Sequence, residues 1–114
     1  MIKDSITFHD NTSTTGNGSV YTVVNPAPST VMMISIANVS GSRTLYFEGL
    51  GPTAGSYIAL TGTNMSTNAT GSLTSGTADE LWKFSLAGLR NFRCRTTVLS
   101  GSITAIGQVI QEYR

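Results

Sequence analysis

Residues 91–99 set Phe92, Cys94, Thr96 and Val98 at every second position, with Arg93, Arg95 and Thr97 between them. Successive side chains of a strand point to opposite faces, so this alternation specifies a strand with one face buried. The same period recurs along the chain. Met32, Ile34 and Ile36 share one side of residues 30–39, and Val31, Met33 and Ser35 share the other. Leu45 and Phe47 alternate with Thr44, Tyr46 and Glu48, and Trp82, Phe84 and Leu86 fall on one face of residues 80–86. Helical spacing is sustained nowhere. The period of two therefore commits the chain to β structure.

Turn residues divide these runs. Asn25-Pro26-Ala27-Pro28 ends a β-branched stretch over residues 19–24. Ser40-Gly41, Ala87-Gly88 and Ser100-Gly101 mark further turns. The glycine-rich residues 49–55 lead into Tyr57-Ile58-Ala59-Leu60, which reads as a hairpin with the strand before it. Residues 61–77 are rich in Thr, Asn, Ser and Gly, and read as loop with a short edge strand around 65–73. A last strand spans 102–110. About seven or eight short strands at hairpin spacing predict an all-β fold, an antiparallel β-sandwich. Immunoglobulin-like and jelly-roll topologies both stay open.

The N-terminus reads differently. Ile2, Ile6 and Phe8 are apolar, but the polar residues 10–18 that follow resemble a flexible linker. The expected organisation is an N-terminal arm and linker over 1–18 and a β-sandwich domain over 19–114. Such a segment either is an edge strand of the home sheet or a frayed end, or docks on a neighbouring subunit, since an exposed sheet edge invites strand addition.

With 114 residues there is room for one core. Charged residues make up 11% of the chain, against about 25% in an ordinary soluble domain. A surface of hydroxyls and amides suits lasting protein contact, because little charge is desolvated on docking. Seven Lys and Arg against six Asp and Glu do not make a nucleic-acid partner. No stretch approaches the roughly 20 apolar residues of a membrane-spanning helix, and the first residues lack the pattern of a secretory signal. The expected place of synthesis and assembly is the host cytoplasm. Five Asn-x-Ser/Thr triplets follow from the composition.

Candidate chemistry is sparse. His9, the single histidine, adjoins Asp10, but at the start of a linker no catalytic base is held in geometry; a solvated pair is expected. The run Gly49–Gly55 lacks the lysine of a phosphate-binding loop, and Pro52 removes a donor. One Cys and one His do not supply a zinc site. Asp79-Glu80, the one adjacent acidic pair, is expected to cap a strand as a solvated turn. No catalytic residue, cofactor or metal is expected.

Partner-binding candidates are Ile2, Ile6 and Phe8 of the arm, with Arg93, Arg95, Tyr46 and Tyr57. Arg93 and Arg95 project from one face, where they are solvated, pair with acidic groups of a partner protein, or hold an anion or glycan. Tyr46 and Tyr57 offer sugar-stacking surfaces, or are cross-strand neighbours. Phe47, Trp82, Phe84, Leu86, Phe92 and Val98 are assigned to the core. Cys94 is expected to be a buried, inert thiol.

From Arg43 onward the ordered set of pieces is familiar: Arg43–Gly49 (RTLYFEG), a glycine hairpin into YIAL, a Thr/Asn/Gly loop, Trp82–Arg95 (WKFSLAGLRNFRCR) and Ser100–Gly107 (SGSITAIG). In that order they resemble a recurrent class of small bacteriophage and prophage virion proteins. Residues 1–42 carry none of the resemblance. It implies a non-enzymatic virion structural protein, a capsid decoration or head-fibre component or a tail or baseplate accessory. The expected state is a homo-oligomer, specifically a trimer, in contact with major capsid or tail proteins. The alternative is a tail-tip module that binds a receptor or host glycan through Tyr46, Tyr57 and the 61–77 loop.

Overall fold

A computed structural model describes residues 2–23, 30–52, 55–98 and 100–111, with the side chains of Ile2 and Lys3 outside the description. Eleven strands follow in chain order: β1 Ile2–Thr12, β2 Val20–Thr22, β3 Thr30–Ser40, β4 Arg43–Leu50, β5 Ile58–Ala59, β6 Gly62–Asn64, β7 Thr70–Gly71, β8 Leu73–Thr74, β9 Glu80–Ser85, β10 Asn91–Val98 and β11 Ser102–Gln111. They form a β-sandwich of two antiparallel sheets. The larger has the order β1-β11-β3-β9-β6-β7; the smaller is β2-β10-β4-β5, with β8 also pairing β4.

The long strands are where the alternation placed them. The count rises above seven or eight because residues 61–77 break into three two- or three-residue strands, and because β1 is a full strand. Their Ser, Thr, Asn and Gly side chains give no apolar period from which such short pairings are read. The Asn25–Pro28 turn lies outside the described residues.

Alternation becomes burial directly. Along β4 the pattern from Arg43 is buried, half-buried, buried, half-buried, and β10 repeats it with Phe92, Cys94 and Thr96 inward. Aromatic rings bridge the sheets. Phe47 of the smaller sheet lies 4.6 Å from Phe84 and 4.9 Å from Trp82 of the larger, centroid to centroid. Phe92 lies 5.2 Å from Phe84 and 5.7 Å from Phe8. Burying one such ring stabilises by about 2–3 kcal/mol, and offset or tilted pairs add about 0.5–1.5 kcal/mol. Of the expected core residues, Val98 is only half-buried, because it ends β10.

The chain passes from one sheet to the other at two corners that touch. β3 turns into β4 through Gly41, with φ +73°, and β10 turns into β11 through Gly101, with φ +83°. A Cβ on Gly101 would overlap the Ser40 carbonyl oxygen, and one on Gly41 would stand 2.4 Å from that of Ser100. Only glycine satisfies both the left-handed backbone and the contact.

Of the readings open for the N-terminus, the structure shows the home-sheet edge strand. Ile2–Thr12 pairs antiparallel with β11 from Ile2↔Ile110 to Thr12↔Ile103, and Phe8 is 2% exposed. The expected linker is tied down as well. Gly16 and Thr96 exchange backbone hydrogen bonds of 3.0 and 2.8 Å. The Val98 N–H donates to Thr15 Oγ1 at 2.9 Å. Residues 2–12 are therefore an edge strand of the home sheet, fixed by a core aromatic that a polar linker does not advertise.

Candidate binding face

Two groups of chemically capable side chains are brought together, one inside the sandwich edge and one on an open sheet face.

The inner group centres on His9. It is not part of a solvated pair; it is 4% exposed, under the loop that joins β1 to β2. Its Nε2–H donates to the Cys94 carbonyl, which fixes the hydrogen on Nε2, and Thr12 Oγ1 lies 3.2 Å from Nδ1. Both ring nitrogens are engaged within the fold, and Asp10 beside it is exposed. A cleft of about 350 Å³ adjoins it, lined by Thr7, Thr12, Thr14 and Ser19 among others. Cys94 itself is fully buried, and burial pushes its thiol well above the ordinary range, with the charge of Glu48 adding to the shift.

Two further polar groups also work structurally, Arg43 and Glu80, and Glu80 is not the solvated turn residue expected of it. Arg43 is 5% exposed and donates to the carbonyls of Ser75 (3.0 Å) and Gly76, holding the loop before β9. Its desolvation lowers the guanidinium pKa, an effect the nearby Glu80 opposes. Glu80 Oε1 accepts from Thr74 Oγ1 at 2.6 Å and from Trp82 Nε1 at 3.0 Å. Glu80 is thus half-buried and ties a core indole to β8, whereas Asp79 is exposed as expected of a turn.

The outer group lies on the smaller sheet. Pairing of β10 with β4 sets Arg93 opposite Glu48 and Arg95 opposite Tyr46. Arg93 Nε donates to Glu48 Oε1 at 2.9 Å, and Arg95 Nε donates to Glu48 Oε2 at 3.2 Å, so one carboxylate bridges both guanidiniums. Each guanidinium also covers a ring: Arg93 Cζ is 3.8 Å from the Tyr57 centroid and Arg95 Cζ is 4.2 Å from that of Tyr46. The result is a continuous array, Tyr57–Arg93–Glu48–Arg95–Tyr46. Exposed apolar side chains flank it, Val20 opposite Arg93 on β2 and Leu73 opposite Tyr46 on β8.

Four of the seven sequence-selected candidates, Arg93, Arg95, Tyr46 and Tyr57, therefore converge. Ile6 packs half-buried against the core, Phe8 is inside it, and the side chain of Ile2 lies outside the described residues. Glu48 was legible only as a residue sharing the face of Tyr46. That it joins two arginines depends on the register between β4 and β10.

The model of the XepA family matches residues 3–109. The chain belongs to the XepA family. The XepA-type sandwich is seen in the crystal structure of the SPBc2 prophage-derived protein YomS, with TM-score 0.81 and 29% identity over 94% of this chain and 92% of that one. The PBSX exported protein XepA gives the same TM-score at 19% identity, again over 94% of this chain. There the match covers 37% of the other chain, so this XepA-family sandwich spans little more than a third of that protein's length. No curated protein sequence matches this chain.

Proposed function

We propose that this chain is a non-enzymatic structural protein of a phage particle, a homo-oligomeric capsid decoration or tail accessory component. The prophage derivation of the YomS relative supports a phage origin. The observation that carries the reading is the Tyr57–Arg93–Glu48–Arg95–Tyr46 array on an open sheet face. Tyr and Arg are enriched at the centres of protein interfaces, where they supply area and hydrogen bonds at low entropic cost. Here both arginines are already oriented, and Val20 and Leu73 add apolar contact at the edges. On this reading the array meets another virion protein.

The glycan-binding alternative draws less support from the same face. A guanidinium covers one face of each tyrosine ring, so sugar stacking there must use the other face or displace an arginine. Nor does His9 offer a base to a substrate, since both its nitrogens are used inside the fold.

The test is reconstitution. Purified protein is mixed with particles lacking it, and occupancy and sedimentation of the free protein are measured. Saturable attachment, with a free protein heavier than 12 kDa, is the expected result. A strict monomer that leaves particles bare at high concentration would exclude the assignment.

A further inference from the structure

The geometry points to a specific kind of partner for the array: an extended acidic segment of another protein, with carboxylates two residues apart. This rests on the proposed docking role of that face and names what docks there.

Each arginine keeps part of its donor set free for a partner. A guanidinium takes a carboxylate side-on, through Nε and one Nη, or end-on, through both Nη groups. Glu48 occupies both Nε atoms. Among the described residues no Nη of Arg93 or Arg95 has a protein partner, so the end-on fork of each stays open. The side chains are 22% and 35% exposed, enough to be reached from solvent.

Charge and spacing then select the partner. Two guanidiniums against one carboxylate leave the array one positive charge in excess. Arg93 and Arg95 are two residues apart on one face of β10, a separation of about 6.6 Å along a strand. Carboxylates at alternate positions of an extended chain have the same repeat, so one segment presents a carboxylate to each fork. Tyr57 and Tyr46 hold each guanidinium from one face while Glu48 holds it from Nε. Less side-chain entropy is therefore lost on binding than with free arginines. Lysine would replace the charge but not the planar fork.

The test uses the full-length chain and a fluorescein-labelled decapeptide of alternating glutamate and serine, followed by anisotropy at low salt. Wild type is expected to bind saturably, and more weakly as salt rises. R93Q/R95Q should weaken binding at least tenfold and R93K/R95K several-fold, both with wild-type circular dichroism. A peptide with the same composition in two blocks, five glutamates then five serines, should bind several-fold more weakly. Equal binding by wild type and R93K/R95K, or by the two peptides, would overturn the fork-and-spacing argument. Inorganic polyphosphate that binds more tightly than the alternating peptide would overturn it in favour of a phosphate polymer. Wild-type protein that occupies particles yet ignores the peptide removes the acidic segment and leaves the structural role standing.

Discussion

Phe8 and His9 are consecutive residues of β1, and both are buried, at 2% and 4% exposure. A regular strand sends neighbours to opposite faces, so this needs an irregularity. It is present: the register with β11 shifts between Thr7↔Ile106 and His9↔Ala105. A bulge of this kind re-aims one side chain, letting Phe8 reach Phe92 while His9 reaches the Cys94 carbonyl. Replacing His9 by alanine leaves that buried carbonyl without its donor and opens a void. We expect a loss of about 2 kcal/mol in urea unfolding at unchanged m. A loss under about 0.5 kcal/mol would show that water or a neighbour replaces the imidazole.

The loop over His9 gives a paired test. Gly18 has φ +68°, and a Cβ there would stand 2.6 Å from the Phe8 carbonyl oxygen and from His9 Cε1. Gly16, two residues earlier, has nothing within 4 Å of such a Cβ. Gly18→Ala is therefore expected to cost about 2–3 kcal/mol, combining left-handed strain with the overlap. Gly16→Ala should stay within about 0.5 kcal/mol of wild type. Similar melting temperatures for the two variants would show that the loop does not pack on His9 in solution.

These buried polar contacts show where the sequence stops being legible. Period two identifies Phe47, Trp82, Phe84 and Phe92 as core, since each inward position repeats along a strand that exposes the next. The arginine face is legible for the same reason, as the complement of that core. Phe8 was visible as apolar but not as inward, because the polar run after it suggests a tether and the bulge that admits His9 has no apolar signature. Glu48 as a bridge, and Arg43 as the clamp on Ser75 and Gly76, depend on contacts more than 30 residues apart. Such pairings are set by strand register, which local pattern does not encode.

Removing the bridge should weaken the fold as well as the array. In Glu48→Gln the two guanidiniums, two residues apart on one face of β10, lose their shared counter-charge. Both arginines are partly solvated, so each lost pair is worth under about 1 kcal/mol. A combined loss of about 1–2 kcal/mol is expected in chemical denaturation, narrowing in 1 M NaCl, where screening weakens exposed pairs. A variant as stable as wild type at low salt would mean that the bridge contributes nothing to folding.

Cys94 gives a pH dependence with a definite sign. Burial holds its folded-state pKa above the value in the unfolded chain. Stability from the neutral thiol is therefore complete below the unfolded-state pKa and is lost as pH rises past it. The unfolded thiol ionises above roughly pH 8.5 while the folded one keeps its proton. Wild type should lose up to about 1.4 kcal/mol per pH unit more than Cys94→Ala in that range. Tyr21, raised first by burial and then by the charge and hydrogen bond of Asp4, titrates in both proteins and cancels in the comparison. Parallel stability profiles above pH 9 would show the thiol to be solvent-accessible.

The sharpest division between a tether and a structural strand is removal of residues 1–12. If they were a detachable arm, the remaining sandwich would melt as before. The structure gives the opposite expectation. Deletion takes Phe8 from Phe92, removes the His9 donor from the Cys94 carbonyl, and strips the whole length of β11 of its outer partner. Loss of the ring alone costs about 3–5 kcal/mol, a large share of the roughly 5–15 kcal/mol that stabilises an ordinary domain. The truncated chain should show no cooperative calorimetric transition, and a synthetic peptide of residues 1–12 should restore one in proportion to its concentration, as any ligand of the folded state does. A truncated chain that melts within a few degrees of wild type would return the segment to the role of an arm.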